Sequence, residues 1–207
     1  MKQKLNIDTW NRKEHYLFFS KMEEPFFGIT TTIDCSIAYL KSKQLGVSFF
    51  TYYLHKTLIA VNSIESFKYR IIENEVYIFD TIDASTTILR PDTTFGFSLI
   101  EFSPNLKIFS ENVIQETNRV QKTNGLFTRD FAENLIHFST IPWVNFTSLS
   151  HARSFTFPDS CPKVTFGKII EENGKKTFSM SVHVHHGLMD GFHVGQFVNL
   201  FQKLMNE

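Results

Sequence analysis

The stretch from Thr177 to His186 constrains the chain more than any other. Phe178, Met180, Val182, Val184 and His186 alternate without a break with Thr177, Ser179, Ser181, His183 and His185. Only a β-strand, with its side-chain period of two, sorts these residues into an apolar face and a polar, histidine-bearing one. Gly187 then permits a sharp exit, and Asp190-Gly191 precede an amphipathic run from Phe192 to Met205. Val194, Phe197, Val198, Phe201 and Leu204 make that run a helix with one core-facing stripe.

The remaining segments mix both periods. Residues 48–64 carry Phe49, Tyr52, Tyr53, Leu58, Ile59 and Val61 at helical spacing. Tyr69–Ile72 and Val76–Phe79 flank Glu73-Asn74-Glu75 as a hairpin. Thr86–Leu89 and Phe95–Phe102 are expected as strands around the turn Arg90-Pro91-Asp92. A helix is expected from Pro104 to Lys122, with Leu106, Phe109, Val113, Ile114 and Val120 on one side and Gly125 as its stop. Leu135–Ile141 and Val164–Ile170 are further strands, and Glu171-Glu172-Asn173-Gly174 is a hairpin turn. This pattern predicts an α+β fold, a mainly antiparallel or mixed β-sheet flanked by helices, in one domain over residues 1–207.

The 21 basic and 21 acidic residues balance, so no global field recruits nucleic acid or an anionic membrane. No stretch approaches the roughly 20 apolar residues of a membrane span, and Met1-Lys2-Gln3-Lys4-Leu5 lacks a following secretory core. Cys35 and Cys161 cannot build a disulfide framework. A cytoplasmic protein is expected. The 23 phenylalanines point to aromatic-lined pockets, to surface hidden in an oligomer, or to a Phe-rich core.

His186 continues the apolar face to the strand's end, where a partly desolvated imidazole is a candidate base near neutral pH. His185 points the opposite way. Asp190, four residues on, can anchor the loop that aims the ring. Two alternatives stay open: a core histidine satisfied by a carbonyl, and a metal site among His183, His185, His186 and His193. Strand alternation divides those histidines, and no carboxylate or cysteine completes a set at ligand spacing, so no metal is expected.

The segment His185 to Val194, HHGLMDGFHV, resembles the active-site signature of the chloramphenicol acetyltransferases. Its core, HHxxxDG, is shared with the wider CoA-dependent acyltransferases, dihydrolipoyl acyltransferases and peptide-synthetase condensation domains included. Further segments match in order. Trp10-Asn11-Arg12-Lys13-Glu14-His15 resembles the family's W-x-R-K-E-H motif, and Asp92-Thr93-Thr94-Phe95 its E-T-F-S segment. Pro142-Trp143-Val144-Asn145-Phe146-Thr147-Ser148 resembles P-W-x-x-F-T-S, and Val164-Thr165-Phe166-Gly167-Lys168 resembles F-T-M-G-K. The likeness runs from about residue 5 to 205.

The resemblance implies a chloramphenicol acetyltransferase-like two-layer sandwich and an O-acetyltransferase using acetyl-CoA as co-substrate, with no bound cofactor. It makes His186 the general base, Ser148 the oxyanion donor, and Asp190 a salt-bridge partner of Arg12 that fixes the loop. Phe19, Phe95, Thr165 and Phe127 would line the acceptor site. It also implies a homotrimer, with His186 offered by one subunit and much of the acceptor pocket by its neighbour.

Several positions depart from the pattern. Phe19 stands where a tyrosine or another aromatic is typical, Gly96 replaces a serine, Ile169 replaces a tyrosine near the CoA path, and Met189 replaces a cysteine. After Ser148, the family's F-x-L-N-V-A-N run becomes Leu149-Ser150-His151-Ala152-Arg153-Ser154-Phe155. The catalytic set is kept and the walls change, which is where acceptor specificity resides. Chloramphenicol, another alcohol, or acyl-CoA binding without turnover are therefore the competing expectations.

Overall fold

The computed structural model describes residues 1–154 and 159–207; Phe155, the last residue of the altered run, lies outside them. The chain opens with β1 (Lys2–Lys4), helix α1 (Lys13–Phe19) and the long strand β2 (Phe26–Asp34). Helices α2 (Ser36–Gln44) and α3 (Phe49–Ser63) follow, then β3 (Tyr69–Ile72), β4 (Glu75–Phe79), β5 (Asp83–Leu89) and β6 (Phe95–Phe97). Helix α4 (Leu106–Gln121) leads to β7 (Leu135–Thr140), β8 (Lys163–Phe166), β9 (Ile170–Glu172), β10 (Lys175–His185) and the last helix, α5 (Gly191–Met205).

The main sheet runs β2-β10-β8-β7-β5-β6, with β9 paired to β10. The β5–β7 and β7–β8 pairs are parallel and the others antiparallel, so the sheet is mixed. A smaller antiparallel sheet, β1-β4-β3, stands apart. No described helix is long and apolar enough to cross a membrane.

Phe178, Met180, Val182 and Val184 of β10 enter the core with Phe166, Phe197 and Phe201, as alternation predicts. The opposite face is not solvated: Ser179, Ser181 and His185 are buried too. Residues 144–153 cross that face. Asn145 accepts from the Ser179 hydroxyl, and His151 lies 3.4 Å from the Thr165 hydroxyl.

Four expected details change. The strand expected over Phe95–Phe102 is continuous only to Phe97; Ser98 and Ile100 still donate to the Thr86 and Ala84 carbonyls of β5, while side chains take the Leu99 and Phe102 amides. Leu99 N–H donates to Glu116 at 2.7 Å and Phe102 N–H to Asp83 at 2.7 Å. The run Val164–Ile170 splits at Gly167-Lys168, whose amides turn to the Ser179 and Val144 carbonyls. Helix α4 buries Phe109, Val113, Glu116 and Val120, whereas Ile114, one residue round from that stripe, is 55% exposed. Its cap is Lys122, and Gly125 takes its positive φ of 85° three residues later.

Candidate active site

His186 lies one residue past the end of β10, and its N–H donates to the Pro25 carbonyl at 2.8 Å. Its ring is stacked on Phe19, with centroids 3.9 Å apart and planes 2° from parallel. Phe27 packs at 4.6 Å. Phe27 opposes Val184 in register, so the imidazole belongs to the apolar side of the sheet. Nδ1 is sealed from solvent without a hydrogen-bond partner among the described residues. Nε2 is thus the nitrogen able to meet a ligand.

His185 takes the other face. Its Nδ1 accepts from Gly187 N–H at 3.1 Å, and its ring edge meets Phe26 at 5.6 Å. Burial, reinforced by the charge of Arg153, pushes its pKa down to about 4. Two adjacent histidines on one strand end therefore occupy different environments.

The loop after His186 is held from the far end of the chain. Arg12, at the N-cap of α1, donates from Nη1 to Asp190 Oδ2 at 2.8 Å and from Nη2 to the His186 carbonyl at 3.2 Å. Asp190 also caps α5, accepting from Phe192 N–H at 3.0 Å, and its Oδ1 lies 2.9 Å from His193 Nδ1. Burial alone would raise the Asp190 carboxyl, but Arg12 and His193 overrule it and hold it down to about 2.

The remaining expected residues lie elsewhere. Thr165 is buried at the centre of the polar face. Phe95 and Phe127 are 43% and 73% exposed and gather around Phe97 at the β6 edge. That edge is four strand spacings from β10, or about 19 Å. Ser148 is exposed in an irregular segment, not on a strand, and makes no hydrogen bond among the described residues.

One hydroxyl on the polar face belongs to no matching motif. Ser139 is half-buried on β7, directly opposite Thr165 in the parallel β7–β8 register. It alternates with Ile136 and Phe138 of the core, so it shares the polar face. The signal that finds it is this register, which no local pattern contains. Among the described residues no group of three or more His, Cys, Asp or Glu side chains could hold a metal.

The family profile described as chloramphenicol acetyltransferase matches residues 2–202. The chain belongs to the chloramphenicol acetyltransferase family. Chloramphenicol acetyltransferase 3 of Escherichia coli is 28% identical over 98% of this chain and 96% of its own length. The chloramphenicol acetyltransferase of Proteus mirabilis is 27% identical over 98% and 94%. A solved chloramphenicol acetyltransferase superposes with a TM-score of 0.90 at 27% identity, covering 99% of this chain and all of the other. A probable dihydrolipoamide acetyltransferase from Listeria monocytogenes shares the fold, at a TM-score of 0.66 and 11% identity. The chain is accordingly an acyltransferase of this family, with its mixed sheet and flanking helices.

Proposed function

We propose that the protein transfers the acetyl group of acetyl-CoA to a primary hydroxyl of chloramphenicol or a similar alcohol, with His186 Nε2 as general base. The carrying observation is the aiming of His186: its ring is fixed by Phe19 and its backbone by Arg12, with one nitrogen left for a ligand. Nε2 takes the hydroxyl proton as the acceptor oxygen attacks the thioester carbonyl. The tetrahedral intermediate then collapses, breaking the C–S bond, and the imidazolium returns the proton to the departing CoA thiolate. General-base help of this kind contributes roughly 10²–10⁴-fold.

The oxyanion needs a donor fixed in advance. The resemblance gives that role to Ser148; Ser139, opposite Thr165 in the β7–β8 register, is a second hydroxyl on the polar face. For the CoA arm, a groove of about 430 Å³ offers Phe49, Tyr53, Pro142 and Ile169 as apolar wall and Lys168 as a cation.

His186 and the Ser139–Thr165 pair face opposite sides of one sheet, and the Phe95–Phe127 cluster lies at its far edge. A second copy must then bring the hydroxyls and acceptor wall to His186, in line with the homotrimer that the resemblance implies. Leu17, Phe18 and Phe192, exposed on the segments flanking His186, supply apolar surface for it. A CoA thioester substrate goes with a cytoplasmic location.

Thiol release from acetyl-CoA on adding chloramphenicol or a panel of alcohols tests the proposal. Release by wild type, reduced about 10²–10³-fold in Ser148→Ala, is expected, and Ser139→Ala shows whether the second hydroxyl shares the role. Release with other alcohols and none with chloramphenicol would select a different acceptor. Saturable CoA binding without any release would leave a binding protein.

A further inference from the structure

The polar face of the main sheet carries a charge arrangement that acetyl transfer leaves unused. We infer that Arg153 forms the centre of an anion-binding subsite for a carboxylate or phosphate group carried by the acceptor. Calling that ligand the acceptor rests on the acetyl-transfer proposal; the subsite itself rests on geometry.

The Arg153 guanidinium lies over the Phe26 ring, with Cζ 3.3 Å from the centroid, and its side chain is only 9% exposed. Stacking on a ring leaves the N–H edge to hydrogen-bond in its own plane. Glu24 approaches Nε at 3.3 Å, but neither Nε nor Nη1 has a hydrogen-bond partner among the described residues. Glu24 and Asp159 supply counter-charge, yet these N–H donors stay unsatisfied, and an oxyanion is the ligand whose geometry completes them, by paired N–H···O bonds.

The same ring gathers more cationic and donor groups. Lys163 Nζ lies 4.9 Å from the Phe26 centroid, although Asp159 already pairs with it at 2.5 Å. His185 meets the ring edge at 5.6 Å. His151 and His183 stand beyond, 4.9 Å apart ring to ring. Burial first, then neighbouring positive charge, pushes His151 down to about 4 and lowers His183 as well. Burial comes first for His185 too; Arg153 adds to the lowering at all three rings, while Glu24 opposes it at His183 and Asp159 at His185. His151 and Arg153 both belong to the run that departs from the family pattern. A neutral alcohol offers this surface no counter-charge.

Titration calorimetry of the whole protein with benzoate, phenyl phosphate and neutral benzamide tests the subsite, and the tighter anion identifies its source. At least one anion is expected to bind about 10- to 100-fold more tightly than benzamide. Arg153→Gln should abolish the difference, and Arg153→Lys, keeping charge without the fork, should retain part of it. Equal binding of the three probes, or a preference that survives in Arg153→Gln, would overturn the inference. So would loss of self-association in Arg153→Gln without any anion preference in wild type, since Arg153 would then pair with an acid of a second copy. Thiol release from acetyl-CoA across the alcohol panel reports separately on acetyl transfer, so the two failures are distinguishable.

Discussion

Arg12 and Asp190, 178 residues apart in sequence, meet at 2.8 Å, and the same guanidinium donates to the carbonyl of His186. One side chain thereby fixes both ends of the His186–Asp190 loop. Arg12 is almost buried and Asp190 about one-third exposed, so deleting either partner should cost about 1–3 kcal/mol, below the range for fully buried pairs. Arg12→Ala should also lower kcat by around 10², because the base is no longer held in place. Urea unfolding and steady-state kinetics on Arg12→Ala, Asp190→Asn and the double variant check this. Fully additive losses would mean the two residues do not act as a unit.

The same pair gives the fold an acid limb. Asp190 sits at about 2 in the folded chain against an ordinary 3.8, so its ionised form stabilises the native state. That contribution is complete above pH 4 and lost as pH falls toward 2. Asp190→Asn should flatten this part of the stability profile by about 1–2 kcal/mol, allowing for solvent exposure. Denaturant midpoints measured from pH 5 to pH 2 give the comparison; parallel profiles would refute the assignment.

Phe19 is expected to act on the His186 ring. Stacked aromatic pairs contribute about 0.5–1.5 kcal/mol beyond area burial. Phe19→Ala should therefore reduce kcat roughly 2- to 12-fold, while Phe19→Tyr keeps the ring and most of the rate. A Phe19→Ala enzyme with raised KM and intact kcat would instead make Phe19 only an acceptor contact.

Gly96 explains one departure from the family pattern. A Cβ there would fall 2.4 Å from Arg90 Nη2 and 2.9 Å from Val120 Cγ1. Arg90 is buried and committed to the Val120 and Gly125 carbonyls, so it has little room to yield. Gly96→Ser, which restores the family's residue, should destabilise by about 1–3 kcal/mol. Thermal unfolding would show the loss; an unchanged Tm would mean that Arg90 swings aside freely.

Elements with a regular period were legible in the chain, and those shaped by distant side chains were not. The alternation of Phe178 to Val184 predicts both the strand and its core face. Glu116 and Asp83 take the Leu99 and Phe102 amides from afar, which no local pattern announces. In the site, motif resemblance pairs Arg12 with Asp190, and the ion pair is present. Ser139 belongs to no matching motif, because its place opposite Thr165 is set by parallel register between β7 and β8, a non-local property. Phe95 matches its motif as a residue, yet one chain keeps it, with Phe127 beside it, about 19 Å from β10.

The most direct test of His186 as general base is kcat/KM for acetyl transfer to a turned-over alcohol, measured side by side for wild type and His186→Ala. A fall of about 10²–10⁴-fold with acetyl-CoA binding retained is expected. A His186→Ala enzyme as active as wild type would contradict that role.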